Sequence, residues 1–240
     1  MKFSIFKLNR YSTLHLFLTR VYNAVFSRMP HGLKYNIGLM PRKNRLPYSL
    51  VQGGNVIVQI GAPRDTLLAG RSRAMYFSML AGDSGCVVVM EPDPDSIAYW
   101  ERYIERHHIR NIRLVPKGAW DSEKVLEFFI DTSHPAANLM VEVCPKNFPL
   151  IDNYKRICVP VTTVDAALKS HGINRVNLLS ITTNGSEIKI LEGIKDTVAK
   201  GVPYIAFANT HKTLPQLMET LGYSILGRDD RGFTFKQNSK

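Results

Sequence analysis

The sequence predicts an α/β fold in which a mostly parallel sheet is covered by helices on both faces and ends in a C-terminal antiparallel hairpin. Three observations predict it. Short β-branched runs such as 56–60 and 86–90 lack polar alternation, as strands buried on both faces do. Helical patterns separate these runs, as right-handed crossovers require. The 240 residues are 45% hydrophobic and 21% charged, which excludes disorder as the main state. A core of this size needs no disulfide or structural metal.

The N-terminal quarter carries the charge. From Met1 to Arg64 there are ten Lys and Arg and no Asp or Glu, whereas twenty-one basic residues face twenty acidic ones thereafter. The excess positive field attracts phosphates of anionic lipid or nucleic acid. Leu14, Phe17, Leu18, Val21, Tyr22 and Val25 share one helical face, so residues 1–28 read as a basic amphipathic helix. Its candidate partners are an anionic membrane surface, its own domain, or nucleic acid. No run reaches about 18 apolar residues, so no membrane span is expected, and Arg20 interrupts any signal-peptide core. Met29 to Asn55, with three Pro and four Gly, reads as linker and turns. Residues 1–54 are therefore an appendage to a domain at 55–240. Cys86, Cys144 and Cys158 show no zinc spacing, and a reducing, cytoplasmic setting, with peripheral membrane contact, is the expectation.

Within the domain, Val56 to Ile60 is the first strand and ends at Gly61, and a helix is expected from about Leu67 to Ala81. Cys86 to Met90 is the second strand. Asp95 or Ser96 caps a helix to about His108, on which Ile97, Trp100, Ile104 and His108 share a face. Ile112 to Val115 is the third strand, and Val125 to Ile130 is an antiparallel or edge piece. The Pro-interrupted stretch from His134 to Pro160 yields no assignment. A turn at Thr162–Asp165 leads into a helix, followed by a strand at Val176–Thr182, a helix at Glu187–Ala199, a strand at Tyr204–Ala208 and a helix near Pro215–Leu221. Tyr223–Leu226 pairs with Phe233–Phe235 as the final hairpin.

Ligands of such sheets bind beyond the carboxyl ends of the strands, near the point where strand order reverses. Glu91, at the tip of the second strand, is placed to accept hydrogen bonds from both hydroxyls of a ribose. The loop Gly61-Ala62-Pro63-Arg64-Asp65-Thr66 does not cradle phosphate: Pro63 removes a donor and Asp65 repels an anion. A phosphate-free adenosyl cofactor, S-adenosylmethionine (SAM), therefore fits better than NAD or ATP.

Val58-Gln59-Ile60-Gly61-Ala62, Glu91-Pro92-Asp93-Pro94, Val161 to Asp165, the block Val176 to Gly193 and Leu221-Gly222-Tyr223 stand in the order and spacing of the FkbM-type SAM-dependent methyltransferases, which the chain resembles from about Asn55 to Phe235. The resemblance implies a class I methyltransferase, a Rossmann-like three-layer sandwich with a seven-stranded sheet. It also implies methyl transfer from SAM to a hydroxyl of a sugar or of a lipid-linked or secondary-metabolite acceptor. Carried over by position, it sets Gly61 and Ala62 against the methionine part of SAM, Glu91 on the ribose, and Gly118, Ala119 and Trp120 near the adenine, with Asp93 beside them. Charged family positions are neutral here, as Gln59, Ser180, Thr182 and Asn184. Gln59 and Thr182 remain candidate SAM contacts, and Asn184 and Asn209 candidate substrate contacts. A hydroxyl acceptor needs a base; His211, His134 and Glu187 are the candidates, with His211 and Glu187 preferred. No metal cluster is legible. The neutral positions also admit a fold retained as a binding module. Nucleic-acid methylation lacks the Asn/Asp-Pro-Pro-Tyr/Phe tetrad of base methyltransferases.

Overall fold

The computed structural model describes residues 21, 24–26, 28–131, 134–145, 154–208, 213–229 and 231–238. Its central sheet has seven strands: β1 Val56–Ile60, β2 Cys86–Met90, β3 Ile112–Val115, β8 Leu178–Ile181, β9 Tyr204–Phe207, β10 Tyr223–Arg228 and β11 Phe233–Gln237. They lie in the order β10-β11-β9-β8-β1-β2-β3. The five from β9 to β3 run parallel, and β11 is antiparallel to both β9 and β10. The chain steps outward from β1 through β2 to β3, then crosses back to β8 on the other side of β1. The switch point therefore lies between β1 and β8.

Every residue of β8 and four of the five in β1 and β2 are buried, which explains their mostly apolar composition, with Gln59 and Ser180 the polar exceptions. One face of the sheet is covered by α5 Val164–Ser170, α6 Glu187–Glu192, α7 Lys195–Ala199 and α8 Leu214–Thr220. The other face carries α3 Arg73–Ala81 and α4 Pro94–Arg106, with Tyr76, Phe77 and Trp100 fully buried beneath them. Asp93 caps α4 by accepting the Asp95 N–H at 3.1 Å, and Pro94 occupies the first turn.

Four expectations change. The helix expected from Leu67 to Ala81 is two, α2 Arg64–Leu68 and α3, with the chain turning at Gly70 in the left-handed region. The helix expected at Glu187–Ala199 breaks into α6 and α7 at Gly193, which packs directly on the Trp120 backbone. Met29 to Asn55 is more than linker: α1 His31–Leu39 and a 3-10 turn at Tyr48–Leu50 bury Tyr35 and Tyr48 in the same core as β1. Lastly, the unassigned stretch supplies β6 Leu139–Met140 and β7 Tyr154–Thr162, which join β5 Lys124–Asp131, the antiparallel piece expected at Val125–Ile130, and β4 Gly118–Ala119 in a second sheet of order β4-β7-β5-β6. Its long antiparallel β5/β7 ladder encloses a separate core of Trp120, Phe128, Met140, Val159 and Val161. Long-range pairing between β5 and β7 decides this element, which no local pattern encodes. No helix among the described residues is long and apolar enough to cross a membrane.

Candidate active site

A cleft opens at the carboxyl ends of β1, β2 and β8. Glu91 forms part of its wall. The residue is 4% exposed, and its two carboxylate oxygens accept the backbone N–H of Ala62 at 2.7 Å and of Asp93 at 3.0 Å. Burial lifts its carboxyl from 4.5 to about 7, against the pull of those two N–H groups. Among the described lining residues it is the one ionisable side chain.

Gly61, at the switch point, has φ +78°, and a Cβ there would collide with the Thr182 carbonyl oxygen. The ends of β1 and β8 thus meet directly. Thr182 N–H bonds the Ile60 carbonyl at 2.9 Å, and the Thr182 hydroxyl donates to the Gly61 carbonyl at 2.7 Å. Gln59 reinforces the seam, its Nε2 donating to Thr182 Oγ1 at 2.7 Å. Asn184 reaches across the cleft, and its Nδ2 donates to the carbonyls of Ala136 and Asn138 at 2.9 and 2.8 Å. This holds the segment from Pro135 to Met140, part of the second sheet's edge, over the cleft as its outer wall.

Of the residues singled out from sequence, Gly61, Glu91, Gly118, Ala119, Thr182 and Asn184 come together on this cleft. Others do not. Gln59 and Ala62 face a second cavity of about 210 Å3 behind the Gly61–Thr182 contact, beside the buried Arg73. Asp93 is absorbed as the α4 cap, with Ser96 donating to its second oxygen at 2.6 Å. Trp120 is fully buried in the core of the second sheet, packed with Phe128, Met140, Val159 and Val161. Glu187 closes its own turn: Thr183 Oγ1 and the Gly185 N–H donate to its Oε1 at 3.0 and 3.4 Å, so it buries itself at the start of α6 instead of facing the cleft. His211 and Asn209 lie outside the described residues.

Two features escaped the sequence reading. Asp65, at the start of α2, is largely buried; its Oδ1 has no partner among the described residues, and its Oδ2 lies 3.6 Å from His134 Nδ1. Burial raises the Asp65 carboxyl, and the His134 charge works against that rise. Neither residue lines the cleft itself, although Pro63 and Pro135, close to them in sequence, do. Arg73 and Asp229 form an ion pair at 2.9 Å with side chains 1% and 0% exposed, tying the turn of the final hairpin to α3. A separation of 156 residues hides that pair from sequence patterns.

A parallel sheet with its cleft at the β1/β8 switch point, an acid at the tip of β2 and an antiparallel terminal hairpin defines a class I methyltransferase fold. The Methyltransferase FkbM domain matches residues 59–225, and the chain belongs to the FkbM methyltransferase family, whose cofactor is SAM. Among solved structures, methyltransferase FkbM from Methylobacillus flagellatus KT is similar at 16% identity and a TM-score of 0.53, covering 84% of this chain and 49% of that one. This chain thus spans about half the length of that protein. A methyltransferase from Geobacter sulfurreducens aligns at 12% identity and a TM-score of 0.44, over 97% of this chain and 92% of that one. Fibrillarin from Aeropyrum pernix, with SAM bound, aligns at 10% identity and a TM-score of 0.44, over 90% and 75% of the two chains. No curated protein matches.

The residues present fit an adenosyl group. Met90, Pro92, Ala119, Leu139 and Met140 supply apolar walls, and Asn138, also on the cleft, keeps its Nδ2 buried without a partner among the described residues. The carboxylate of Glu91 retains lone pairs for hydroxyl donors after its two backbone bonds. An amino-acid tail would meet neutral dipoles from Thr182, Thr183, Asn184 and Ser186.

Proposed function

We propose that the chain methylates a hydroxyl of a sugar or of a lipid-linked or secondary-metabolite acceptor, with Glu91 holding the ribose of SAM. The observation that carries this reading is the buried Glu91 carboxylate on the switch-point cleft. Bound SAM supplies a methyl group made electrophilic by its sulfonium sulfur. The acceptor oxygen gains that methyl and yields its proton to His134, leaving S-adenosylhomocysteine. Asp65 faces His134 Nδ1, which leaves the other ring nitrogen to take the proton and sets a negative charge beside the imidazolium that forms. This assigns the base to His134 in place of Glu187, whose carboxylate is engaged by its own turn.

A second reading, a retained fold that binds without turnover, is favoured by the engagement of Gln59, Thr182 and Asn184 in hydrogen bonds within the chain. The two are separated by titrating the chain with S-adenosylhomocysteine and by following transfer of radiolabelled methyl from SAM to sugar and glycolipid acceptors. Binding with transfer, lost in His134→Ala without loss of binding, supports the first reading. Binding with no transfer to any acceptor leaves the second. Absence of heat on titration overturns both.

A further inference from the structure

We infer that the outer face of α1, together with the basic turn that follows it, is a docking surface for an anionic bilayer. At about 100° per residue, Leu33, Ile37 and Met40 fall within one narrow arc of the helix, and Lys34, Tyr35 and Gly38 fall on the opposite side. The inner side is fixed. Tyr35 is fully buried with its hydroxyl bonded to the Leu67 carbonyl at 2.9 Å, and Lys34 is 3% exposed. The outer side is bare: Leu33, Ile37 and Met40 are 52%, 42% and 71% exposed.

The described part of the preceding amphipathic helix behaves alike. Val21 and Val25, on its apolar face, are 45% and 54% exposed and so do not pack against the domain. Five of the nine large exposed hydrophobic residues among those described therefore fall between positions 21 and 40. Arg28, Lys43 and Arg45 flank this stretch, all exposed, and no acidic residue precedes Asp65. Exposed apolar side chains with cations before and after them in the chain match the boundary of acyl chains and anionic headgroups, where apolar burial and charge attraction add.

The test is sedimentation of the full chain with vesicles of phosphatidylcholine, with and without phosphatidylglycerol, at low and high salt. Binding is expected only to the anionic vesicles and is expected to weaken with salt. Leu33→Asp/Ile37→Asp and Lys43→Glu/Arg45→Glu should each weaken it by about tenfold or more, on the scale of a few basic contacts at a membrane surface. Both double variants should keep wild-type S-adenosylhomocysteine binding and thermal unfolding, which separates this inference from the proposed chemistry. Equal binding to neutral vesicles, or undiminished binding by either variant, overturns it. So does a dimer in sedimentation velocity that Leu33→Asp/Ile37→Asp dissociates, since a second copy would then be the occupant.

Discussion

Replacing Glu91 with glutamine tests the centre of the site. In the wild type, burial raises this carboxyl from 4.5 to about 7. Between those values the native chain holds a proton that the unfolded chain releases, so stability falls as pH rises through this window. Glu91's favourable contribution is fully present below 4.5 and is lost through about 7, an electrostatic cost of about 3 kcal/mol for keeping the charge buried. A ligand whose hydroxyls donate to the carboxylate recovers part of that cost, because it stabilises the charged form. S-adenosylhomocysteine should therefore bind the wild type with a pH-independent Kd above 7, weakening by up to about tenfold per pH unit below it. The Glu91→Gln variant cannot titrate at this position and presents an amide N–H2 where a carboxylate oxygen accepted. It should lose about 1.5–3 kcal/mol of charged hydrogen bonding, roughly ten- to hundredfold in Kd, and its affinity should stay flat with pH. Calorimetric titration of both proteins from pH 5.5 to 8 reads this directly. Wild-type affinity that does not change with pH, with the Glu91→Gln variant binding equally well, would refute the role given to this residue.

Gly61→Ala should cost about 2 kcal/mol or more in urea unfolding, because the position has φ +78° and its Cβ would meet the Thr182 carbonyl. Asp229→Ala removes an acceptor of Arg73, Arg231 N–H and Gly232 N–H at once and leaves a buried guanidinium without its carboxylate. The expected loss in chemical unfolding is about 3–5 kcal/mol, and a loss below about 1 kcal/mol would contradict the burial of that ion pair. His31 stacks on His107 at 4.6 Å and bonds Tyr103 at 2.8 Å, and burial, then the His107 and Lys34 charges, depress its pKa to about 4. The unfolded chain therefore binds the extra proton between 4 and 6.5, so His31's contribution is lost as pH falls through that window. His31→Phe should melt lower than wild type at pH 7.5 but lose less on acidification; parallel melting curves across the window would argue against it.

The sheet and the placement of the acid follow from local sequence pattern. Val56–Ile60 and Cys86–Met90 are β-branched runs that only a doubly covered strand accommodates, and a loop following such a strand must lie at its carboxyl end. Glu91, Gly61, Gly118, Ala119, Thr182 and Asn184 were legible as cleft residues for that reason. What those side chains face depends on packing between distant segments. Glu187 and Gln59 occupy the expected edge, yet hydrogen bonds within one turn and across the β1–β8 seam turn them from the cleft. The second sheet, the Asp65–His134 pair and the Arg73–Asp229 pair join positions far apart in the chain. Periodicity and local propensity report on a residue and its near neighbours, whereas burial and charge pairing between distant segments arise only when the whole chain closes around them.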